Sequence, residues 1–447
     1  MIRILLSPIQ GYTLDLATFA AWFQKVAEDG PYLFYETWCD YPPFNVYIFW
    51  VFGSLAKHLS LFGTSSLVFF LKLPSNIFDV ATAVLIFVFL RGRLNFKTSI
   101  LTVSFYVFNP ATIFNTSIWG QFDAIYTFFL VLSLMLIINS KLELSVMVFA
   151  IGVLSKPQSV ALAPLIAFLI LLRNGWKSVM TSALVSAATI LILIIPFKWS
   201  NPVGFLINIY VKGYGGYPFT SLNAFNLWAF HGFWKPDNGT FMFLDFYTIG
   251  WTMFGALTFY SLYRLYRGID YSQEAKIFFT AFILLFGFFM LPTRIHERYL
   301  FPVFSVLTLI LPFIKNMRAI YGVLTFTFFS NQVYVLAFLN SGKYIPDWDP
   351  TVMIITMINL ATFLYILFYM THATSWRRAT WLTCEPAVAE ARATLKQEIL
   401  NCYGGMSSTM HHDRAGKRNL RRRSSLLNPI VDKIMKSKGG PLWRKHR

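Results

Sequence analysis

Long apolar runs dominate this chain, and short polar breaks separate them. The runs do not alternate: residues 80–90 lack the period-two pattern of a barrel strand. Many approach the roughly 20 residues that carry a helix across a bilayer. The pattern predicts an all-α protein, with helices over 67–90, 98–114, 121–139, 143–156, 158–172, 178–197, 244–264, 275–291, 301–314, 319–340 and 351–370. Read as spans, these eleven make a polytopic, multi-pass membrane domain over residues 67–370. Ahead of them, residues 1–66 read as a polar, aromatic loop followed by one apolar stretch, 44–62, interrupted by Gly53, Lys57 and His58. That stretch suits either a helix lying in the membrane interface or a further span, and the interfacial reading is preferred.

Composition supports the membrane reading. Of 447 residues 56% are hydrophobic and 13% charged, about half the charged share of a soluble domain. The net charge of +18 is uneven, because 16 Lys and Arg stand against five Asp and Glu from Arg377 onward. Residues 371–447 therefore read as a basic, mostly disordered cytoplasmic tail, held near anionic headgroups, with no nucleic-acid-binding fold. Cys39, Cys384 and Cys402 form neither a disulfide framework nor a zinc signature, and residues 1–6 are too short for the apolar core of a signal peptide.

Basic residues orient the spans. Arg91, Arg93 and Lys97, then Lys141, then Arg173 and Lys177, then Arg264, Arg267 and Lys276, then Lys315 and Arg318 all fall on one side, which the positive-inside rule makes cytoplasmic. The other side receives 115–123, 155–158, 199–243, 292–302 and 341–350. With 44–62 interfacial, the N-terminal loop joins that outer side. An outer N-terminus with no helix before it predicts that a first transmembrane helix is missing, by truncation or a late start codon.

Five polar clusters then share the outer side. The first holds Asp15, Trp22 and Asp40-Tyr41-Pro42-Pro43. A carboxylate there can take a proton from a hydroxyl, or Asp15 and Asp40 can simply cap helices. The second is Thr293-Arg294-Ile295-His296-Glu297-Arg298. Snorkelling accounts for one such arginine but poorly for two with His296 and Glu297 on this side, whereas guanidinium groups bind phosphate bidentately. The third is Trp119-Gly120-Gln121-Phe122-Asp123, where Asp123 can equally be a helix N-cap. The fourth is Ser155-Lys156-Pro157-Gln158, where Pro157 breaks the helix and a charge at membrane depth reads as functional. The fifth is the loop 199–243, rich in aromatics and Asn, with a sequon at Asn238-Gly239-Thr240.

In this order the motifs resemble the GT-C superfamily of integral-membrane glycosyltransferases, which use polyprenyl- or dolichyl-phosphate sugars. The likeness covers about residues 11–340 and is nearest to bacterial and archaeal mannosyltransferases related to the GPI-anchor mannosyltransferases. It rests on Asp15 with Asp40-Tyr41-Pro42-Pro43, on Trp119–Asp123 and Ser155–Gln158, and on Ile295-His296-Glu297-Arg298-Tyr299-Leu300-Phe301-Pro302. It implies Asp15 as catalytic base and a Tyr-Pro-Pro segment leading into helices along the membrane. It also implies a lipid-linked sugar phosphate as donor; no separate cofactor is expected, and no residue is assigned to a metal.

On this reading Arg294, His296, Arg298 and Lys156 bind the donor phosphate. Asp40, Tyr41, Gln121, Asp123, Gln158 and Glu297 support the site or touch substrate. A hexose, mannose first, passes with inversion to a lipid, glycan or protein acceptor; Asp40 as a nucleophile would instead give retention. The setting is a prokaryotic plasma membrane, or the endoplasmic reticulum of a eukaryote. The rival reading is a transporter or flippase of a lipid-linked or anionic solute, but no internal repeat of the kind expected for one is visible.

Overall fold

The structure is a computed structural model describing residues 1–267, 273–314 and 316–372. These belong to the first of two units, Met1–Ala379 and Thr380–Arg447. The basic tail lies outside them from residue 373 onward, as do Cys384, Cys402 and Lys315.

The described chain is mostly helical, with almost no sheet. The α-helices are α1 (Ile2–Leu6), α2 (Thr13–Asp29), α3 (Pro43–His58), α4 (Ser66–Arg91), α5 (Phe96–Val107), α6 (Pro110–Ile113), α7 (Asp123–Ile138), α8 (Leu142–Ser155), α9 (Ala163–Ile194), α10 (Pro202–Gly215), α11 (Phe246–Arg267), α12 (Gln273–Met290), α13 (Phe301–Ile310), α14 (Met317–Asn340) and α15 (Pro350–His372). The eleven apolar runs all fall on helices. Residues 158–172 and 178–197 correspond to one element broken at Gly175, whose φ of 75° no helix accommodates.

Four described segments are long and apolar enough to cross a membrane: Ser66–Arg91, Pro157–Ile194, Met317–Asn340 and Pro350–Thr371. Asp123–Ile138, Leu142–Ser155 and Phe301–Ile310 are apolar but shorter. Helix α12 is apolar and buried along almost its whole length, as a helix at the centre of a bundle must be. It packs against α13, α11 and α15 and meets α4 through Phe278 and Phe89, within the main core.

Residues 1–42 differ from the expected loop. They hold a 17-residue helix, α2, which buries Phe19, Trp22, Phe23 and Val26. Its apolar face meets α3 through Trp22 and Phe49, whose ring centroids lie 5.9 Å apart. A side chain at Gly53 would strike the Phe23 carbonyl, so the two helices cross there at backbone contact. Pro42 and Pro43 start α3 without needing the N–H groups that a helix start leaves unpaired.

Contacts sort the loops into two ends. At one, Glu36 meets Lys198, Lys235 meets Asp347, and Arg294 meets Asp237. At the other, Arg93 pairs with Glu274, and Arg173 donates to the Ile137 carbonyl. Each of these contacts joins segments that the charge pattern assigns to the same side.

Candidate active site

The site begins with a break in helix geometry. After α6 the chain winds into a six-residue π-helix, Phe114–Trp119, which ends at Gly120 with φ 88°. The amides of Gly120 and Gln121 both donate to the Asn115 carbonyl, at 3.0 Å each. Two carbonyls near this terminus, Ser117 and Ile118, accept from the Lys72 ammonium at 3.1 and 2.7 Å, and the Ile9 carbonyl adds a third bond at 2.6 Å. A side chain at Gly120 would press on the Lys72 stem at 3.1 Å. Such π-turns recur at functional sites, and this one aims Trp119 and Gln121 at a single target.

That target is Asp15, in the first turn of α2. Its Oδ2 accepts from Trp119 Nε1 at 3.0 Å and from Gln121 Nε2 at 2.7 Å. Among the described residues no hydrogen bond reaches Oδ1. The helix-capping alternative does not hold for Asp15: the N-cap of α2 is Tyr12, with no side-chain cap bond. Burial raises the Asp15 carboxyl above its ordinary value, and Arg298 and the two donors pull the other way. A raised carboxylate suits a general base working near neutral pH.

The second group is positioned by short strand pairing. Strand β1 (Ser221–Leu222) pairs in parallel with the last strand, Ile295–His296, placing Leu222 opposite His296. Glu297 is 1% exposed and lies between two partners, Arg298 at 2.8 Å and His296 Nδ1 at 3.7 Å. Burial pushes the Glu297 carboxyl up, but Arg298 and His296 outweigh it and hold it near 2. Burial, reinforced by Arg298, pushes His296 down to about 4, so at neutral pH its ring is an uncharged hydrogen-bonding group. Arg298 is the remaining cation, held well above its ordinary value by Glu297 against the cost of burial.

His296 and Arg298 line a cavity of about 580 Å³. Asp40, Tyr41, Lys156, Gln158 and Arg294 share its wall, and Tyr210, Tyr214, Tyr217, Trp251, Phe254 and Phe288 make much of the rest. The lining thus mixes aromatic and apolar side chains with cationic ones: Arg294 lies over Tyr214, and His296 meets the Tyr217 ring at 5.7 Å. Asp40 and Asp15 both lie within the field of Arg298, but Asp15 is not part of this lining.

The sequence-derived residues therefore gather at one end of the molecule, with different tasks. Lys156 is buried against Asp123 in an ion pair, and its ammonium lies 5.5–5.7 Å from the rings of Tyr41, Tyr126 and Tyr299. Asp123, fully buried, also accepts from Asn115 at 3.2 Å; it fixes Lys156 and is not an N-cap, since Phe122 holds that position. Arg294 lines the cavity, but Asp237 takes its guanidinium through two contacts of 2.7 and 3.3 Å. The rings of Tyr214 and Tyr247 flank it at 4.9 and 4.7 Å.

Sequence reasoning passed over Trp119 as a ligand of Asp15, and over Lys72 and Asp237. A charge inside the run 67–90 was a signal for Lys72. Asp237 gave none, because only the folded outer loop brings it to Arg294. That loop also closes the end of α12, through Asn226 Nδ2 to the Phe289 carbonyl at 3.0 Å and Trp228 Nε1 to the Leu291 carbonyl at 2.6 Å. Among the described residues no cluster of three or more His, Cys, Asp or Glu could hold a metal ion.

Compared with known proteins, the chain matches no protein-family model and no curated protein sequence.

Proposed function

We propose that this protein is a membrane-embedded glycosyltransferase that moves a hexose, mannose first, from a polyprenyl-phosphate carrier to a hydroxyl of a lipid, glycan or protein acceptor. One observation carries the reading. A carboxylate with one oxygen clamped and one open, Asp15, stands in the field of a buried arginine, Arg298, which lines a cavity walled by both aromatic and cationic side chains. A lipid-linked sugar phosphate has matching chemistry: an isoprenoid chain and a sugar ring for the aromatic and apolar side chains, a phosphate for the cations. The likeness of the motifs to the GT-C enzymes supports the same assignment.

In the proposed step the acceptor hydroxyl gives its proton to Asp15 Oδ1 as its oxygen bonds to the anomeric carbon. The bond from that carbon to the phosphate oxygen breaks on the opposite face, and its electron pair leaves with the lipid phosphate. Arg298 stabilises the charge growing there, with Lys156 as a second cation and neutral His296 as a hydrogen-bonding partner. Glu297 orients both His296 and Arg298, while Trp119 and Gln121 orient Asp15. One carboxylate suffices, and the product is inverted. Arg294, bound to Asp237, holds the rim of the cavity.

The test is transfer from radiolabelled polyprenyl-phosphate mannose in proteoliposomes. Asp15→Asn keeps the clamp and removes the base, so transfer should fall by about 10²–10⁴-fold, whereas Asp29→Asn at an exposed site should leave it intact. Equal transfer by Asp15→Asn and the parent would remove Asp15 as base. Lipid-phosphate movement between leaflets without any transfer would favour the flippase reading.

A further inference from the structure

The mechanism above uses Asp15 and leaves a second carboxylate in the same field unexplained. Asp40 lies just ahead of Pro42 and Pro43, and its side chain lines the cavity. Among the described residues no other residue donates a hydrogen bond to its side chain; its own amide favours the charged form, and its Oδ1 is buried without a partner. Two other polar atoms of the cavity wall share this condition, Gln158 Oε1 and Arg298 Nε.

Buried polar atoms are rarely left unpaired, and an unpaired buried carboxylate costs far more than an unpaired amide. Three such atoms around one cavity therefore mark a surface that a ligand completes. Their chemistry is specific. Asp40 and the Gln158 carbonyl accept hydrogen bonds; Arg298, Lys156 and neutral His296 donate. Acceptors call for hydroxyl groups and donors for an anion, and a sugar joined to a phosphate offers both on one small frame.

We infer that Asp40, together with Gln158 across the same cavity, is the specificity-determining contact to the sugar hydroxyls of the lipid-linked donor. The assignment rests on the transferase reading and goes beyond it, because it separates sugar recognition from phosphate binding and from the base. Asp15 is held outside the cavity lining by Trp119 and Gln121, where an acceptor can reach it. Asp40 lines the cavity, where the donor lies on this reading. Burial, which raises the Asp40 carboxyl against the pull of Arg298 and Lys156, is the cost that donor hydroxyls would offset.

The experiment compares two probes, polyprenyl phosphate and polyprenyl-phosphate mannose, binding to the full chain in nanodiscs. An Asp15→Asn background blocks turnover. Asp40→Asn keeps the shape of the side chain and turns one acceptor into a donor; Gln158→Leu keeps the volume and removes both polar atoms. Each should lower the preference for the sugar-bearing lipid over the sugarless one by about tenfold, with an unchanged melting temperature. The ratio of affinities cancels any general effect of the lost charge on phosphate. Should Asp40→Asn not fold, Gln158→Leu carries the comparison alone. An unchanged ratio, or equal weakening of both lipids, overturns the assignment while leaving the transferase reading in place. Failure of the parent to bind either lipid removes both.

Discussion

Asp15 is one carboxylate with two unlike oxygens, and that asymmetry makes its chemistry testable. Trp119 and Gln121 donate to Oδ2 and so favour the charged form, opposing the burial that raises the group. Removing one donor, as in Gln121→Leu, should raise the Asp15 carboxyl further. The acid limb of the pH–rate profile should then move to higher pH, with a smaller loss of rate well above it; an unmoved limb would separate Gln121 from the base. His296 and Glu297 make a second, structural pH dependence. The folded value of His296 lies near 4 against 6.5 for the free group, so the unfolded chain binds more protons between those values and stability falls as pH drops from 6.5 toward 4. Glu297, held near 2 against 4.5, loses its contribution as pH falls from 4.5 toward 2. Melting temperature measured against pH should decline through both windows, and His296→Gln should abolish the first.

At the scale of elements, the site depends on the π-helix more than on any long helix. Phe114–Trp119 closes only because Gly120 takes a positive φ and Lys72 reaches in from α4 to bond three carbonyls. Lys72→Met keeps much of the stem and strips these bonds, leaving buried carbonyls unpaired at about 1–3 kcal/mol each. A loss of about 3 kcal/mol or more in thermal or denaturant unfolding is expected, with reduced transfer because Trp119 and Gln121 lose their aim. The α2–α3 pair works at the same scale. Its aromatic contacts, Phe19, Trp22 and Phe23 with Tyr41, Phe49 and Phe122, tie Asp15 and Asp40 to α7, which starts at Asp123.

At the scale of the whole molecule, contacts among the described residues join the polar loops to one another, Lys235 to Asp347 and Arg294 to Asp237, and join the basic loop at Arg93 to Glu274. Labelling of single cysteines, with Cys39, Cys384 and Cys402 replaced, tests whether these two groups of loops face opposite sides of a membrane. Exposed Glu28 and Lys343 should react from one side, and exposed Arg91 and Lys97 from the other. Reaction of Glu28→Cys from the same side as Lys97→Cys would contradict the orientation.

The positions of the helices were legible in the chain because apolar runs and their Pro, Gly and basic punctuation are local properties, governed by burial and backbone geometry. The motifs that line the site were legible too, since charge is costly within apolar surroundings and therefore conspicuous there. Helix α2 was not, because its polar outer face hides an apolar stripe that is buried only when α3, α4 and Phe122 pack on it. Nor were the pairings of Arg294 with Asp237, Lys156 with Asp123, and Asp15 with Trp119 and Gln121. Those partners lie 33 to 106 positions apart, and nothing local selects one distant polar group over another. Packing does, by leaving each buried charge a single place where its cost is met.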